Sequence, residues 1–158
     1  MNSRVIHRKA FKLTLILLLV ALGMRVYAED IPAGAWAGTW KFDPARSKFP
    51  GPPPQADQII TQPDGTILVH ETSAEGKTRD WSYKPQVGKA VAVQGHGENV
   101  TVLVKKVNAH RMEQTWDYNG KPATSYATLS RDGKTQTFHV MRTKDGQPFE
   151  EVIVFEKQ

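Results

Sequence analysis

The sequence predicts an all-β protein, an antiparallel up-and-down meander that closes into a barrel of eight to ten strands. Three observations support this fold class: turn signals recur every 9 to 13 residues from residue 56 onward, apolar and polar residues alternate between them, and no segment after residue 28 has convincing helical periodicity. Short connections make neighbouring strands antiparallel and adjacent. A barrel is favoured over a sandwich because closure removes the two exposed edges of a long sheet.

The turn signals divide the chain into predicted strands. Asn119-Gly120, Asp132-Gly133 and Asp145-Gly146 are typical hairpin tips, because these dipeptides adopt positive φ readily. Segments rich in Val, Ile, Thr and aromatic residues are predicted as strands over 66–72, 77–84, 99–107, 110–118, 122–130, 134–142 and 148–156. Shorter strands are predicted over 57–62 and 89–94, and one earlier strand over Trp36–Phe42.

The segments 77–84 and 110–118 each place large apolar or aromatic side chains on one face. These candidate ligand-binding residues are Trp81, Tyr83, Met112, Gln114, Trp116 and Tyr118. Aromatic and Met side chains with a few polar groups suit a small apolar or aromatic ligand. The alternative is that these side chains simply fill the barrel.

The segment 43–55 has a different composition from the predicted strands. Asp43 and Pro44 are suited to the N-cap and first position of a single helical turn. The following stretch 48–55 has four prolines in eight residues and must be extended. We interpret it as a stiff connection; the alternatives are a lid across one barrel end or a ligand for a proline-binding partner.

The first 28 residues are typical of a secretory signal peptide. Four basic residues within the first twelve precede an apolar run over 13–23, and Val26-Tyr27-Ala28 supplies small residues at −3 and −1. Cleavage is therefore predicted before Glu29, with an uncleaved membrane anchor as the alternative. The mature chain, 29–158, is predicted to be a single periplasmic or secreted barrel domain without stable membrane insertion.

Composition excludes several classes of function. The chain has no cysteine, which excludes disulfides, iron–sulfur sites, thiol catalysis and cysteine-ligated zinc. The net charge of +5 comes from five basic residues and no acidic residue within 1–28, which leaves 16 residues of each sign after them. The mature chain is therefore neutral, and nucleic-acid binding is not predicted.

The sequence gives little support for a cofactor or a catalytic site. The four mature histidines, His70, His96, His110 and His139, are too far apart in sequence for a local metal-binding motif, so no metal or cofactor is predicted. No nucleophile elbow, phosphate-binding glycine loop or zinc-protease motif is present, and we predict that the protein is not an enzyme.

Two further positions are candidates for the barrel interior. His139 and Met141 share one face of 134–142 and are predicted to contact the ligand; a single interior histidine is also a possible haem ligand, or an ordinary hydrogen-bonded residue of the wall. Glu151 faces inward if Phe149 and Ile153 do, and its pKa is then expected to be raised by the apolar surroundings. The alternative for Glu151 is an edge charge near the barrel mouth.

The mature chain opens with Ala-Trp-Ala-Gly-Thr-Trp over 35–40. A Gly-x-Trp at this position, before a long antiparallel meander, resembles the lipocalin and wider calycin superfamily. The resemblance implies that Trp40 lies across one barrel end, that Gly38 is the motif glycine, and that Arg142 or Lys157 packs against the indole as a cation. The stretches 38–49 and 152–158 also resemble the two ends of a group of secreted bacterial proteins.

The sequence therefore predicts an exported, lipocalin-like, non-enzymatic protein that binds a small hydrophobic molecule inside its barrel. The alternative is a structural or interaction protein of the cell envelope. Its barrel would be filled, and its loops and proline-rich segment would face a protein partner.

Overall fold

The computed structural model describes residues 34–144 and 146–158. The predicted signal peptide with its predicted cleavage site, and Asp145 of one predicted turn, lie outside the described residues. A single 3₁₀ turn, Gly34–Trp36, precedes ten strands. The strands are β1 (Gly38–Phe42), β2 (Ala56–Thr61), β3 (Ile67–Thr72), β4 (Thr78–Tyr83), β5 (Ala90–Ala92), β6 (Val100–Asn108), β7 (Arg111–Tyr118), β8 (Pro122–Leu129), β9 (Thr135–Lys144) and β10 (Gln147–Lys157).

The strands form one antiparallel meander, which confirms the predicted fold class. Strands β1 to β4 and β5 to β10 each pair with their neighbours along the chain, and β1 also pairs with β10. Strands β4 and β5 at the two ends of this order share no ladder. Instead, Ser82 of β4 forms an isolated bridge with Gln94, two residues after β5, through backbone hydrogen bonds of 2.9 and 2.8 Å. The sheet is therefore a nearly closed barrel with a weak seam between β4 and β5.

Local chemistry explains where the strands turn. Between β7 and β8, Asn119 and Gly120 have φ of 55° and 81°, the left-handed values that a tight hairpin requires and that this dipeptide adopts at low cost. Before β2, Asp43 Oδ1 accepts hydrogen bonds from the amides of Ala45 (3.0 Å) and Arg46 (3.3 Å), as an N-cap does. The segment 43–55 thus begins with a capped turn.

Two indoles fill one end of the barrel. Trp40 is fully buried, and its Nε1 donates to the Trp36 carbonyl at 3.0 Å. Trp36 is 3% exposed, and its Nε1 donates to the carbonyl of Ala109 in the β6–β7 turn, also at 3.0 Å. Both indole donors are therefore satisfied, and this end is held together across 73 residues of sequence.

The cation beside Trp40 is Lys157, and not Arg142. Lys157 is the direct partner of Trp40 in the β1–β10 register, and its Nζ lies 5.0 Å from the indole centroid. Gly38 has φ of 130°, and a Cβ at this position would lie only 2.9 Å from Lys157 Cε, so glycine leaves room for the lysine. Arg142 pairs instead with Phe149 in the β9–β10 register, far along β10 from Lys157.

Candidate functional site

The barrel encloses a cavity of about 640 Å³, within the range typical of small-molecule sites. Alternate side chains of each strand point inward and line this cavity. On β7, for example, Met112, Gln114 and Trp116 are buried, whereas Thr115 between them is exposed. The volume of the cavity shows that these inward side chains do not fill the interior, and the lining that they form is largely apolar.

Four aromatic rings form one wall of the cavity, which we call the aromatic wall: Trp81, Tyr83, Trp116 and Tyr118. Trp81 stacks on Tyr83 at 6.0 Å and Trp116 stacks on Tyr118 at 5.9 Å, as expected for residues two positions apart on one strand face. The two pairs meet edge to face, with Trp81 and Trp116 centroids 5.8 Å apart. The wall joins β4 to β7 across the weak seam.

His96 extends the aromatic wall from the loop after β5. Its ring centroid lies 5.0 Å from that of Trp81 and 5.5 Å from that of Tyr118. The loop packs so closely on β4 that a Cβ at Gly95 would lie 2.3 Å from the Asp80 carbonyl oxygen. Burial, together with the nearby Arg79, lowers the pKa of His96, so the imidazole is mostly neutral at pH 7.

A buried polar network lies below the aromatic wall. Gln114 Oε1 accepts hydrogen bonds from Ser125 Oγ at 3.0 Å and Trp116 Nε1 at 3.4 Å, and Gln114 Nε2 donates to Tyr83 Oη at 3.4 Å. Burial raises the pKa of Tyr83, so its hydroxyl stays protonated. The network fixes the rotamers of two members of the wall, and so preorganises this side of the cavity.

Four other buried polar atoms of the cavity have no hydrogen-bond partner among the described residues. Within residues 34–144 and 146–158, the buried side-chain atoms without a hydrogen bond are Asp57 Oδ1, Trp81 Nε1, His96 Nδ1 and Gln136 Nε2. All four residues line the cavity. The Gln136 side chain is only 2% exposed. Since buried polar groups in folded proteins are normally paired, these atoms are available to the polar groups of a ligand or to water.

Six charged residues line the cavity: Asp57, Glu71, Glu75, Arg79, Arg142 and Glu151. Glu75 lies in the turn after β3, where its Oε2 accepts a hydrogen bond from Ser73 Oγ at 2.8 Å. We call the other five the mouth. Arg79 Nη2 pairs with Glu71 Oε2 at 2.9 Å, and Arg142 Nε pairs with Glu151 Oε2 at 2.5 Å. Both ion pairs lie near the Tyr118 ring, because the charges of Arg142, Arg79 and Glu71 each influence the pKa of its hydroxyl. The mouth is thus charged, although its basic groups are already paired.

Asp57 is the unpaired acid of the mouth. It lies directly opposite Glu71 in the β2–β3 register. Burial, reinforced by the charge of Glu71, raises the pKa of Asp57 to about 7, against smaller opposing effects from the Gln58 backbone and Arg79. Near neutral pH this carboxyl group is therefore poised between its two protonation states.

The proline-rich part of segment 43–55 also lines the cavity, through Phe49, Pro52 and Pro54. Two contacts fix it in place: Lys48 pairs with Val152 of β10, and Gln55 Nε2 donates to the Ala74 carbonyl at 3.0 Å. The connection between β1 and β2 therefore contributes to the lining of the cavity.

The six ligand-binding candidates on 77–84 and 110–118 all line the cavity, as does Glu151. His139 and Met141 do not, and their predicted inward orientation is corrected. His139 stacks on the outer face of Tyr126 at 4.3 Å and its Nδ1 lies 2.9 Å from Glu150 Oε1, while Met141 is 46% exposed.

The physical reason is the pleat of β9. Its inward face carries Gln136, Phe138, Val140 and Arg142, so the intervening residues must point outward. The apolar pair Phe138 and Val140 was the available signal in the sequence. A histidine on the outer face cannot act as an interior haem ligand.

Two further features bear on the site. Across residues 34–144 and 146–158, no three His, Asp or Glu side chains are grouped in a way that would hold a metal ion. Among these residues there is also no helix with the length and apolar character needed to span a membrane.

Comparison with known proteins identifies the fold. No protein-family model matches the chain. No curated protein matches it either. Its structure is similar to that of a mutant of the fluorescent protein UnaG with an asparagine-to-alanine change, with a TM-score of 0.56 and 14% identity over 78% of this chain and 96% of that one. A second UnaG mutant, with glutamine in place of the asparagine, gives a TM-score of 0.49 and 14% identity over 77% and 95% of the two chains. The likeness to the first supports the β-barrel fold.

Proposed function

We propose that the protein binds a small hydrophobic molecule in its interior cavity and catalyses no reaction. The observation that carries the proposal is the cavity of about 640 Å³ beside the aromatic wall. Apolar surface of this kind gains free energy when a ligand replaces water, by roughly 25 cal/mol per Å² buried. The unpaired polar atoms of the lining support a ligand with a few polar groups, and the calycin-type fold is compatible with this role.

The proposal is tested by titration with N-phenyl-1-naphthylamine, an uncharged apolar probe. Saturable quenching of tryptophan fluorescence, with a matching rise in probe emission, is expected for the wild-type protein. Trp116→Ala is expected to weaken binding about tenfold, because it removes a large contact surface from the wall. His139→Ala is the control, since this side chain lies on the outer face. A folded wild-type protein that takes up no probe would overturn the proposal.

The proposed site of action is outside the cytoplasm, in the periplasm or the surrounding medium. The signal peptide that the sequence predicts over 1–28 supports this part of the proposal, as does the resemblance of 38–49 and 152–158 to secreted bacterial proteins. Mass spectrometry of the protein from its native host is expected to give an N-terminus at Glu29. A mature N-terminus at Met1 would contradict export by cleavage.

The alternative, an interaction protein of the cell envelope, depended on a filled barrel and on a proline-rich segment free to meet a partner. The open cavity favours the binding function instead. So does the position of Pro52 and Pro54, which line the cavity.

A further inference from the structure

The charges of the mouth carry information about the ligand. Three carboxyl groups lie there with two guanidinium groups, and each guanidinium is already held by a glutamate. An anionic ligand would have to compete with Glu71 for Arg79 or with Glu151 for Arg142. The charged group of the mouth for which the described part of the chain shows no ion pair is an acid, Asp57. Its carboxyl accepts a hydrogen bond from the Gln58 backbone, but its Oδ1 is buried and has no hydrogen bond.

We propose that the ligand is a hydrophobic molecule carrying a protonated amine, which binds at the mouth against Asp57 while the apolar part lies on the aromatic wall. This inference rests on the proposed function and names the chemical class that the cavity accepts. An ammonium group supplies the donor that the buried Asp57 oxygen lacks, and pairs a charge that is costly to bury alone.

The surroundings of Asp57 suit a cation. Trp81 lies in the next inward-facing row of β2 to β4 after the row of Asp57, Glu71 and Arg79. Tyr118 shares Glu71 and Arg79 with Asp57 as electrostatic neighbours, and aromatic faces attract ammonium groups. The imidazole of His96 is mostly neutral at pH 7, so it does not repel the ligand. Gln136 adds an independent indication of a polar ligand, because its side chain is 2% exposed, lines the cavity and has an unpaired Nε2 donor, which suits a ligand acceptor such as a carbonyl.

Amine binding is expected to depend on pH. The charged groups that face Asp57 are Glu71 on β3 and Arg79 on β4. Glu75, Arg142, Glu151 and His96 line other parts of the same cavity. An alkyl amine with a pKa of about 10.4 stays protonated through neutral pH. Ionised Asp57 therefore becomes more abundant, and amine binding stronger, as the pH rises from 6 to 8.

The test compares three ligands with the same ten-carbon chain: decylamine, decanol and decanoate. Each displaces N-phenyl-1-naphthylamine from the wild-type protein below its aggregation concentration. At pH 8 decylamine is expected to bind about ten times more tightly than the other two, and its affinity is expected to fall about fivefold at pH 6. Asp57→Asn is expected to remove this preference and leave the decanol affinity unchanged.

The matched control is Asp80→Asn, because Asp80 is exposed and paired with His70 outside the cavity. Equal affinities for the three ligands, or tightest binding of decanoate, would overturn the inference and leave the proposed function standing. Failure of the probe itself to bind would overturn the proposed function. If Asp57→Asn does not fold, the pH profile of decylamine on the wild-type protein decides: affinity that does not rise from pH 6 to 8 counts against Asp57.

Discussion

Asp57 shows how a single buried acid couples stability to pH. Its carboxyl group loses hydration on folding, and the nearest charge, Glu71, is of the same sign. Both effects favour the protonated form. The ionised form is therefore tolerated in the folded protein at a cost in stability, which is consistent with a role in binding.

The first prediction concerns Asp57→Asn. The pKa of Asp57 rises from 3.8 to about 7 on folding, so the folded state holds a proton that the unfolded state releases, and stability falls as the pH rises through this range. The variant is expected to match the wild type at pH 4 and to be more stable at pH 8 by on the order of 2–4 kcal/mol, since a tenfold change in an acid constant corresponds to about 1.4 kcal/mol.

Urea unfolding at the two pH values measures this difference. Asp80→Asn is again the control, and is expected to change stability little at either pH because Asp80 is exposed. A stability difference between Asp57→Asn and the wild type that is the same at pH 4 and pH 8 would show that Asp57 titrates normally in the folded protein.

The second prediction concerns the closed end of the barrel. Gly38→Ala places a Cβ 2.9 Å from Lys157 Cε and forces alanine to φ of 130°, so it is expected to reduce stability by about 1–3 kcal/mol. Gly51→Ala is the control, because no atom lies within 4 Å of its added Cβ. Denaturant unfolding measures both variants, and equal stabilities would show that Lys157 does not need the space above Gly38.

At the level of elements, the seam between β4 and β5 is the weak point of the barrel. An isolated bridge joins β4 to Gln94, just after β5, and the following loop with Gly95 and His96 closes the gap by packing closely on Asp80 and Trp81. Local opening is expected where few backbone hydrogen bonds join neighbouring strands. We therefore expect the sheet to open locally at this seam.

The third prediction tests this seam. Gly95→Ala brings a Cβ to 2.3 Å from the Asp80 carbonyl oxygen and is expected to displace the loop. Hydrogen exchange of the Ser82 and Gln94 amides, which form the bridge, is then expected to accelerate at least tenfold. Gly120→Ala has nearly the same backbone strain, with φ of 81°, and nothing within 4 Å of its Cβ. Similar exchange at the bridge in both variants would contradict the packing role of Gly95.

The same elements show what the sequence can and cannot predict. The alternation of aromatic and polar residues correctly predicted the inward face of β4 and β7, because the large aromatic side chains of each strand lie on one face only. On β9 both faces mix polar and apolar residues, so alternation alone does not identify the inward face. The prediction placed His139 inside the barrel, whereas Phe138 and Val140 line the cavity. The contact between His96 and Trp81 depends on the closing of the seam and has no local signal in the sequence.

For the whole molecule, the meander was predictable because evenly spaced turn signals and short connections leave few alternative topologies. The mouth was not predictable. Its charges come from β2, β3, β4, β9 and β10, and they meet through the curvature of the sheet and the β1–β10 pairing. Sequence alternation predicts which side of a strand a residue faces, but not which residues from distant strands share one height in a barrel.

The measurement that most directly tests a hollow, ligand-binding barrel is probe titration of two tryptophan variants of β8. Ala123 lines the cavity, whereas Thr124 is exposed on the outer face. The fourth prediction is that Ala123→Trp fills the cavity and weakens N-phenyl-1-naphthylamine binding at least tenfold, while Thr124→Trp and the wild-type protein each bind one probe per chain. Equal binding by the two folded variants, or no saturable binding by the wild type, would contradict an interior binding site.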